Sequence, residues 1–263
     1  MSALEKALSN AKKLKIDECE VTSVKKKIIT VRITDSEIVE IKQNFDQSFG
    51  IRLINDKKIA SLQTTNEEEI EQTMLKSLRA SSNLKSREFW GGLPYKTEQS
   101  QLEGTFDEKL EQVSGSECMD IAQSMINSAN NDKVNTITGS LHIVSEKFEL
   151  INSNGLDFSD KATYISGIIN AESEMGETPV SGIGHACGRT FSNFSPEQIG
   201  KDAKTMCVES INPQKIDSDV YSIIFEPYSV GELLAFVIAA NFNFKTFSEK
   251  KSCFSNSYEK EIA

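Results

Sequence analysis

Leu4, Ala7, Leu8, Ala11 and Leu14 recur at i, i+3, i+4 and i+7 through MSALEKALSNAKKLK, the period of a helix with one apolar face. The pattern then changes to interleaved apolar and polar positions. In ECEVTSVKKKIITVRITDSEIVEIKQN, the residues Val21, Val24, Ile28, Val31 and Ile33 are separated by Thr and Lys, and Asp35–Ser36 supply a turn. This predicts two antiparallel strands over 18–34 and 37–44. QSFGIRLINDKKIASLQTT predicts a further strand, a turn at Asn55–Asp56–Lys57, and a returning strand. Thr65 or Asn66 then caps a helix, NEEEIEQTMLKSLRASS. Glu67, Glu68 and Glu69 suit its positive end, and Lys76 and Arg79 lie towards the other.

The segment LKSREFWGGLPYKTEQSQLEGTF has neither period, and its adjacent glycines and Pro94 mark an irregular, exposed connection. A capped helix follows in FDEKLEQVSGSECMDIAQSMINSAN, loosened at Gly115. Alternation returns from Ile137 to Ile151, and Asn152–Gly155 (NSNG) is a strong hairpin turn. Two longer strands are expected over 156–171 and 178–191. SPEQIGKDAKTMCVESI is a helix with Pro196 in its first turn, ended by Asn212–Pro213. DVYSIIFEP reads as a buried strand and GELLAFVIAANF as the helix after it. The expected class is α+β, two domains of antiparallel strands packed with helices. The expected organisation is an N-terminal domain at 1–84, a linker at 85–105, a central domain at 106–215 and the start of a further domain at 216–263.

The 263 residues carry a formal charge of −10, which argues against a nucleic-acid partner, since binding phosphates needs clustered Lys and Arg. The densest basic groups, Lys12–Lys13–Lys15 and Lys25–Lys26–Lys27, are flanked by acids and read as solvated faces. No apolar run reaches the ~18 residues of a membrane span, and the N-terminus lacks a signal-peptide core. No membrane partner is expected, and the expected location is the cytoplasm. The five cysteines have no CxxC spacing, so they read as free thiols and not as a disulfide framework or a structural zinc site.

GELLAFVIAANF, a short apolar helix near the end of the chain, is explained by a resemblance. FGIRLINDKKIASLQTT, LINSNGLDFSDKATY, SPEQIGKDAKTM and VYSIIFEPYSVGELLAFVIAANF, in this order, resemble the TldD/PmbA family. Its members have been described as modulators of DNA gyrase and are related to metalloproteases. The family has two kinds of subunit. The TldD type carries HExxxH on the helix after the strand–Pro element, where two His bind zinc and the Glu polarises the bound water. The PmbA type, also called TldE, lacks those ligands and pairs with TldD. Laid on this chain, the motif places its first His at Ala235, its Glu at Phe236 and its second His at Ala240. None of these binds a metal or moves a proton.

The resemblance therefore implies a PmbA-like subunit with no catalytic residue, no metal site and no cofactor of its own. Its motif helix would be repacked as apolar core, and zinc would sit only in a TldD-like partner. That heterodimer would act on unfolded peptides or small proteins. Family members also continue with a large β-rich domain, so the resemblance implies a truncated product, a fragment or a split gene. The alternative reading is a stand-alone relic that binds a peptide or protein and has no protease role.

Three other features could carry chemistry. Glu226 and Glu232 flank the FEP…GE junction and could line a substrate groove, although solvated or capping roles explain them more simply. His185 and Cys187, at i and i+2 on an expected strand, share one face. They could form half of a metal site or a nucleophile pair, but with no third candidate in view they read as an edge-strand pair. Gly182, Gly184 and Gly188 miss the GxGxxG spacing by one residue and lie on a strand, so no dinucleotide site is expected.

Overall fold

Six strands form one antiparallel sheet: β1 (Glu18–Thr34), β2 (Glu37–Asn55), β3 (Lys58–Thr64), β4 (Thr136–Asn152), β5 (Asp157–Ser173) and β6 (Val180–Gly188). Their order is β3-β2-β1-β4-β5-β6. This computed structural model describes residues 2–88, 90–98, 102–257 and 259–261. The chain divides into two units, Met1–Pro213, which holds the sheet, and Gln214–Ala263. The expected α+β class and antiparallel pairing are those observed. Because β1 pairs with both β2 and β4, the sheet runs unbroken from the N-terminal strands to those of the centre.

The expected turns appear where the chain needs positive φ. Asp35, Ser36, Asp56 and Lys57 all lie between +50° and +65°. Gly155 closes NSNG at φ +83°. One expectation fails: residues 37–55 form a single strand, not two. The stretch QNFDQS is polar and mostly exposed, which imitates a turn. Its backbone nevertheless pairs with β1 at every position, Gln43 with Ile29 through Ser48 with Val24. A sheet ladder supplied from elsewhere overrides weak local propensity.

Side-chain alternation gives the sheet two unlike faces. Odd-numbered residues of β1, β4 and β5 face the helices, as do those of β2 from Ile41 onward; at the register shift beside Ile33 the parity of β2 switches, and Ile38 faces them. Cys19, Val21, Phe49, Ile51 and Leu53 pack against α1 (Ala3–Lys13) and α2 (Ile70–Ser81) through Leu4, Ala7, Ala11, Ile70 and Met74. Farther along the strands, Ile29, Val31, Ile33, Leu141, Ile143, Ile165 and Ile169 pack under α3 (Glu108–Gln112), α4 (Gly115–Ala129) and α5 (Pro196–Glu209). Helix starts are fixed by reciprocal capping boxes, Ser2 with Glu5 and Ser114 with Glu117. The second of these explains the loosening expected at Gly115: one helix ends before Ser114 and another begins after it.

Of the expected linker at 85–105, residues 89 and 99–101 lie outside the described residues; the rest is irregular, but it is pinned. Glu18 accepts from Trp90 Nε1 at 2.7 Å and from the Leu93 N–H at 2.8 Å. Asn152 and Asn154 of the NSNG turn donate to the Pro94 and Leu93 carbonyls at 2.8 and 2.7 Å. Leu93 is buried. Burial raises the Glu18 carboxyl, but the bonds from Trp90, Leu93 and Asn154 outweigh it and hold the group below the usual glutamate range.

The second unit departs from expectation. Residues 214–226 have no regular structure, and Val220 and Ile224 are 96% and 97% exposed, so DVYSIIFEP is not a buried strand. Helix α6 (Pro227–Leu233) continues as a π-helical turn at Leu234–Ile238 and a 3₁₀ turn at Ala239–Phe242, before α7 (Phe244–Ser248). None of these elements has a buried residue. The apolar composition signalled a need for burial, but among the described residues nothing supplies it.

Candidate functional site

At the motif positions, Ala235 and Phe236 lie in the π-helical turn and Ala240 in the 3₁₀ turn. All three are exposed, Phe236 to 80%. The expectation that this helix is repacked as core is therefore corrected: it is an apolar surface, with Leu233, Leu234 and Val237 also exposed. Methyl and phenyl side chains carry no lone pair for a metal, so these three positions do not fit the zinc ion that the family motif holds. Among the described residues, no group of three His, Cys, Asp or Glu is placed to hold a metal ion. Glu226 is the residue before α6 but makes no side-chain cap, and Glu232 stands exposed within α6.

His185 and Cys187 lie on β6, both exposed, on the face of the sheet without helices. Register places Cys187 opposite Ser166 of β5, and Ser166 opposite His142 of β4. His185 falls in the next row, opposite Ile168. The chain's two histidines therefore share the open face. Two strand spacings, about 9.6 Å, separate the His142 and Cys187 backbones. His142 Nδ1 instead lies 3.2 Å from Thr30 Oγ1. Three of the cysteines, Cys19, Cys118 and Cys207, are buried. Burial, helped by neighbouring Glu20, pushes the Cys19 thiol up to about 12, far from a reactive thiolate.

The glycines of β6 have a packing cause. A Cβ at Gly184 would lie 1.9 Å from the Ile199 carbonyl oxygen, and one at Gly182 2.2 Å from the Cys207 nitrogen. Helix α5 thus rests directly on the β6 backbone. Gly200, on α5, allows the same approach to α4, since its Cβ would meet the Met125 carbonyl oxygen at 2.3 Å. No spacing rule could have found this contact, because it depends on which helix covers which strand.

Comparison with known proteins matches two family models. Residues 19–81 match the PmbA/TldA metallopeptidase domain 1, and residues 108–210 match the PmbA/TldA metallopeptidase central domain. A curated relative, an uncharacterized protein of Methanocaldococcus jannaschii, is 22% identical over 245 residues, 93% of this chain and 56% of that protein. A structure from Bacteroides thetaiotaomicron, described as a candidate modulator of DNA gyrase, is 18% identical and superposes with a TM-score of 0.86 over 99% of this chain and 61% of its own. TldE from Thermococcus kodakarensis is 15% identical, with a TM-score of 0.79 over 97% of this chain and 58% of its own. At these identities the structures show the fold. The chain spans between half and two thirds of the length of these relatives.

Proposed function

Because the chain belongs to the PmbA/TldD family, we propose that it acts as a non-catalytic TldE-like subunit, paired with a TldD-type zinc metallopeptidase that cleaves unfolded peptides or small proteins. The observation that carries this reading is the chemistry of the motif positions. Where a TldD-type helix needs two imidazoles and a carboxylate, this chain presents Ala235, Phe236 and Ala240. Its two histidines lie on strands of the sheet, outside that helix. Zinc belongs in this picture to the partner, and the reaction to the cytoplasm. The exposed apolar residues of the second unit are of the kind that pairing with another polypeptide covers.

The test is a peptide-cleavage assay with four arms: this chain, a purified HExxxH-bearing TldD-type subunit, their mixture, and the mixture with a zinc chelator. The reading expects an unfolded polypeptide to be cleaved fastest by the mixture, slowly or not at all by either protein alone, and not at all with chelator. Cleavage by this chain alone contradicts it. A mixture no more active than the TldD-type subunit favours a stand-alone binding protein instead.

A further inference from the structure

The two helical groups cover opposite ends of the strands and leave a bare band between them on the same face. It begins where the core residues of β1 stop at Ser23 and ends where they resume at Ile29. A groove of about 430 Å³ occupies this band, lined by Lys25, Lys27, Phe45, Gln47, Glu111 and Lys147, among others. A second, of about 360 Å³, shares Lys147 and adds Phe106 and Lys161.

Register makes the lysines a row. Lys25 of β1 is directly opposite Lys147 of β4, and Lys147 is directly opposite Lys161 of β5. Like charges facing each other across strands destabilise a sheet, so three in succession need an explanation. Internal carboxylates answer only part of it. Lys147 pairs with Glu149 at 2.8 Å and Lys161 with Glu111 at 3.2 Å. Lys27 donates to the Glu111 and Val113 carbonyls at 3.0 and 2.9 Å, bonds that carry no compensating charge. Lys25 is exposed and has no ion-pair partner among the described residues. Together the two grooves are lined by Lys25, Lys26, Lys27, Lys147 and Lys161 against Asp46, Glu111 and Asp160, a local positive excess in a chain of net charge −10.

We propose that this groove binds an acidic segment of another protein, held extended across β1, β4 and β5. Lys25 to Lys161 spans two strand spacings, about 9.6 Å. An extended peptide places alternate side chains about 6.8 Å apart on one face, so two or three carboxylates within five residues reach all three ammonium groups. Apolar side chains that flank the carboxylates on the same face meet Phe45, 73% exposed at one end, and Phe106, over which the Lys161 ammonium sits at 5.0 Å from the ring centroid. The β2 end is open, because β3 pairs with β2 only from Phe49 onward. Two aromatic walls and lysines spread along a line suit a polypeptide better than a single compact anion. The inference does not depend on the subunit reading, since the groove lies wholly in the sheet-bearing unit.

Fluorescence anisotropy with a labelled decapeptide that carries Phe, three Glu and Phe at alternate positions, with Ser between them, tests it, with a Gln-for-Glu decapeptide as control. The expected result is saturable, salt-sensitive binding of the Glu peptide only. Lys25→Gln with Lys147→Gln should weaken binding at least tenfold, and Lys12→Gln with Lys13→Gln should leave it unchanged. The groove variant should melt no lower than the parent, because it removes opposed charges. Absence of saturable binding, indifference to the groove variant, or a groove variant less stable than the parent overturns the proposal. So does equal or tighter binding of inorganic polyphosphate or a single-stranded oligonucleotide, which would make the groove a general polyanion site. Self-association abolished by the same variant would identify a second copy as the occupant and overturn it too.

Discussion

Gly184→Ala isolates the contact on which the central part of the fold rests. The added Cβ would lie 1.9 Å from the Ile199 carbonyl oxygen, and its next contact is the Ala203 nitrogen at 2.8 Å. Both atoms are backbone within α5, so neither moves without shifting the helix off β6. Helix α5 in turn presses Gly200 against the Met125 carbonyl of α4, so displacement propagates into the cluster containing Met125, Ile199 and Ala203. Overpacking ordinarily costs 1–3 kcal/mol, and an unyielding backbone neighbour puts this case at about 3 kcal/mol or above. For a unit of this size that lowers Tm by roughly 6–12 °C. Thermal unfolding followed by far-ultraviolet circular dichroism reads the change. Gly91→Ala is the control, because a Cβ there meets nothing within 4 Å. A Gly184→Ala protein that melts within about 2 °C of the parent, well inside that range, would refute the direct helix-on-strand packing.

Two further outcomes follow from the same geometry. Glu18 is held below its ordinary range, so its contribution is present above the ordinary glutamate value and is lost as pH falls through the lower folded value. Glu18→Gln should therefore lower Tm at neutral pH, with the gap to the parent narrowing on acidification; a pH-independent gap contradicts the carboxylate clamp. Of the five thiols, Cys187 and Cys253 are exposed and the other three buried. A disulfide-exchange reagent should titrate two equivalents rapidly in the native protein and the rest only on unfolding, and rapid reaction of a third would place one of the buried thiols wrongly.

Local rules carried the sequence reading well where local chemistry decides the structure. Asp35–Ser36, Asp56 and NSNG mark turns because those residues accept the backbone angles that reversal needs, while Lys57 takes the same angles without a local signal. Pro196 marks a helix start for an equally local reason, whereas the cap at Ser114 showed in the sequence only as a loosening at Gly115. The reading failed where the partner lies far away in the chain. The continuous β2 is maintained by β1, against the polar character of Gln43–Ser48. The exposed run at Val220–Phe225 looks like a core strand because an apolar sequence records the need for a partner, not its presence. Lys25–Lys26–Lys27 read as one solvated patch. In the structure Lys26 pairs with Glu146 at 2.7 Å, Lys27 donates to the Glu111 and Val113 carbonyls, and Lys25 lines the groove without an ion-pair partner among the described residues. For the candidate site, the legible part was the set of donor-free motif positions. That α5 packs directly on Gly182 and Gly184 could be seen only once the sheet was assembled.

The most direct test of the subunit reading is the molar mass of the complex. Light scattering on the size-exclusion peak of this chain mixed with a HExxxH-bearing TldD-type subunit measures it without reference to activity. The account predicts a single peak whose mass is the sum of one copy of each chain or a multiple of that sum. Two separate peaks, each at the mass of its own chain over the full concentration range, would contradict it.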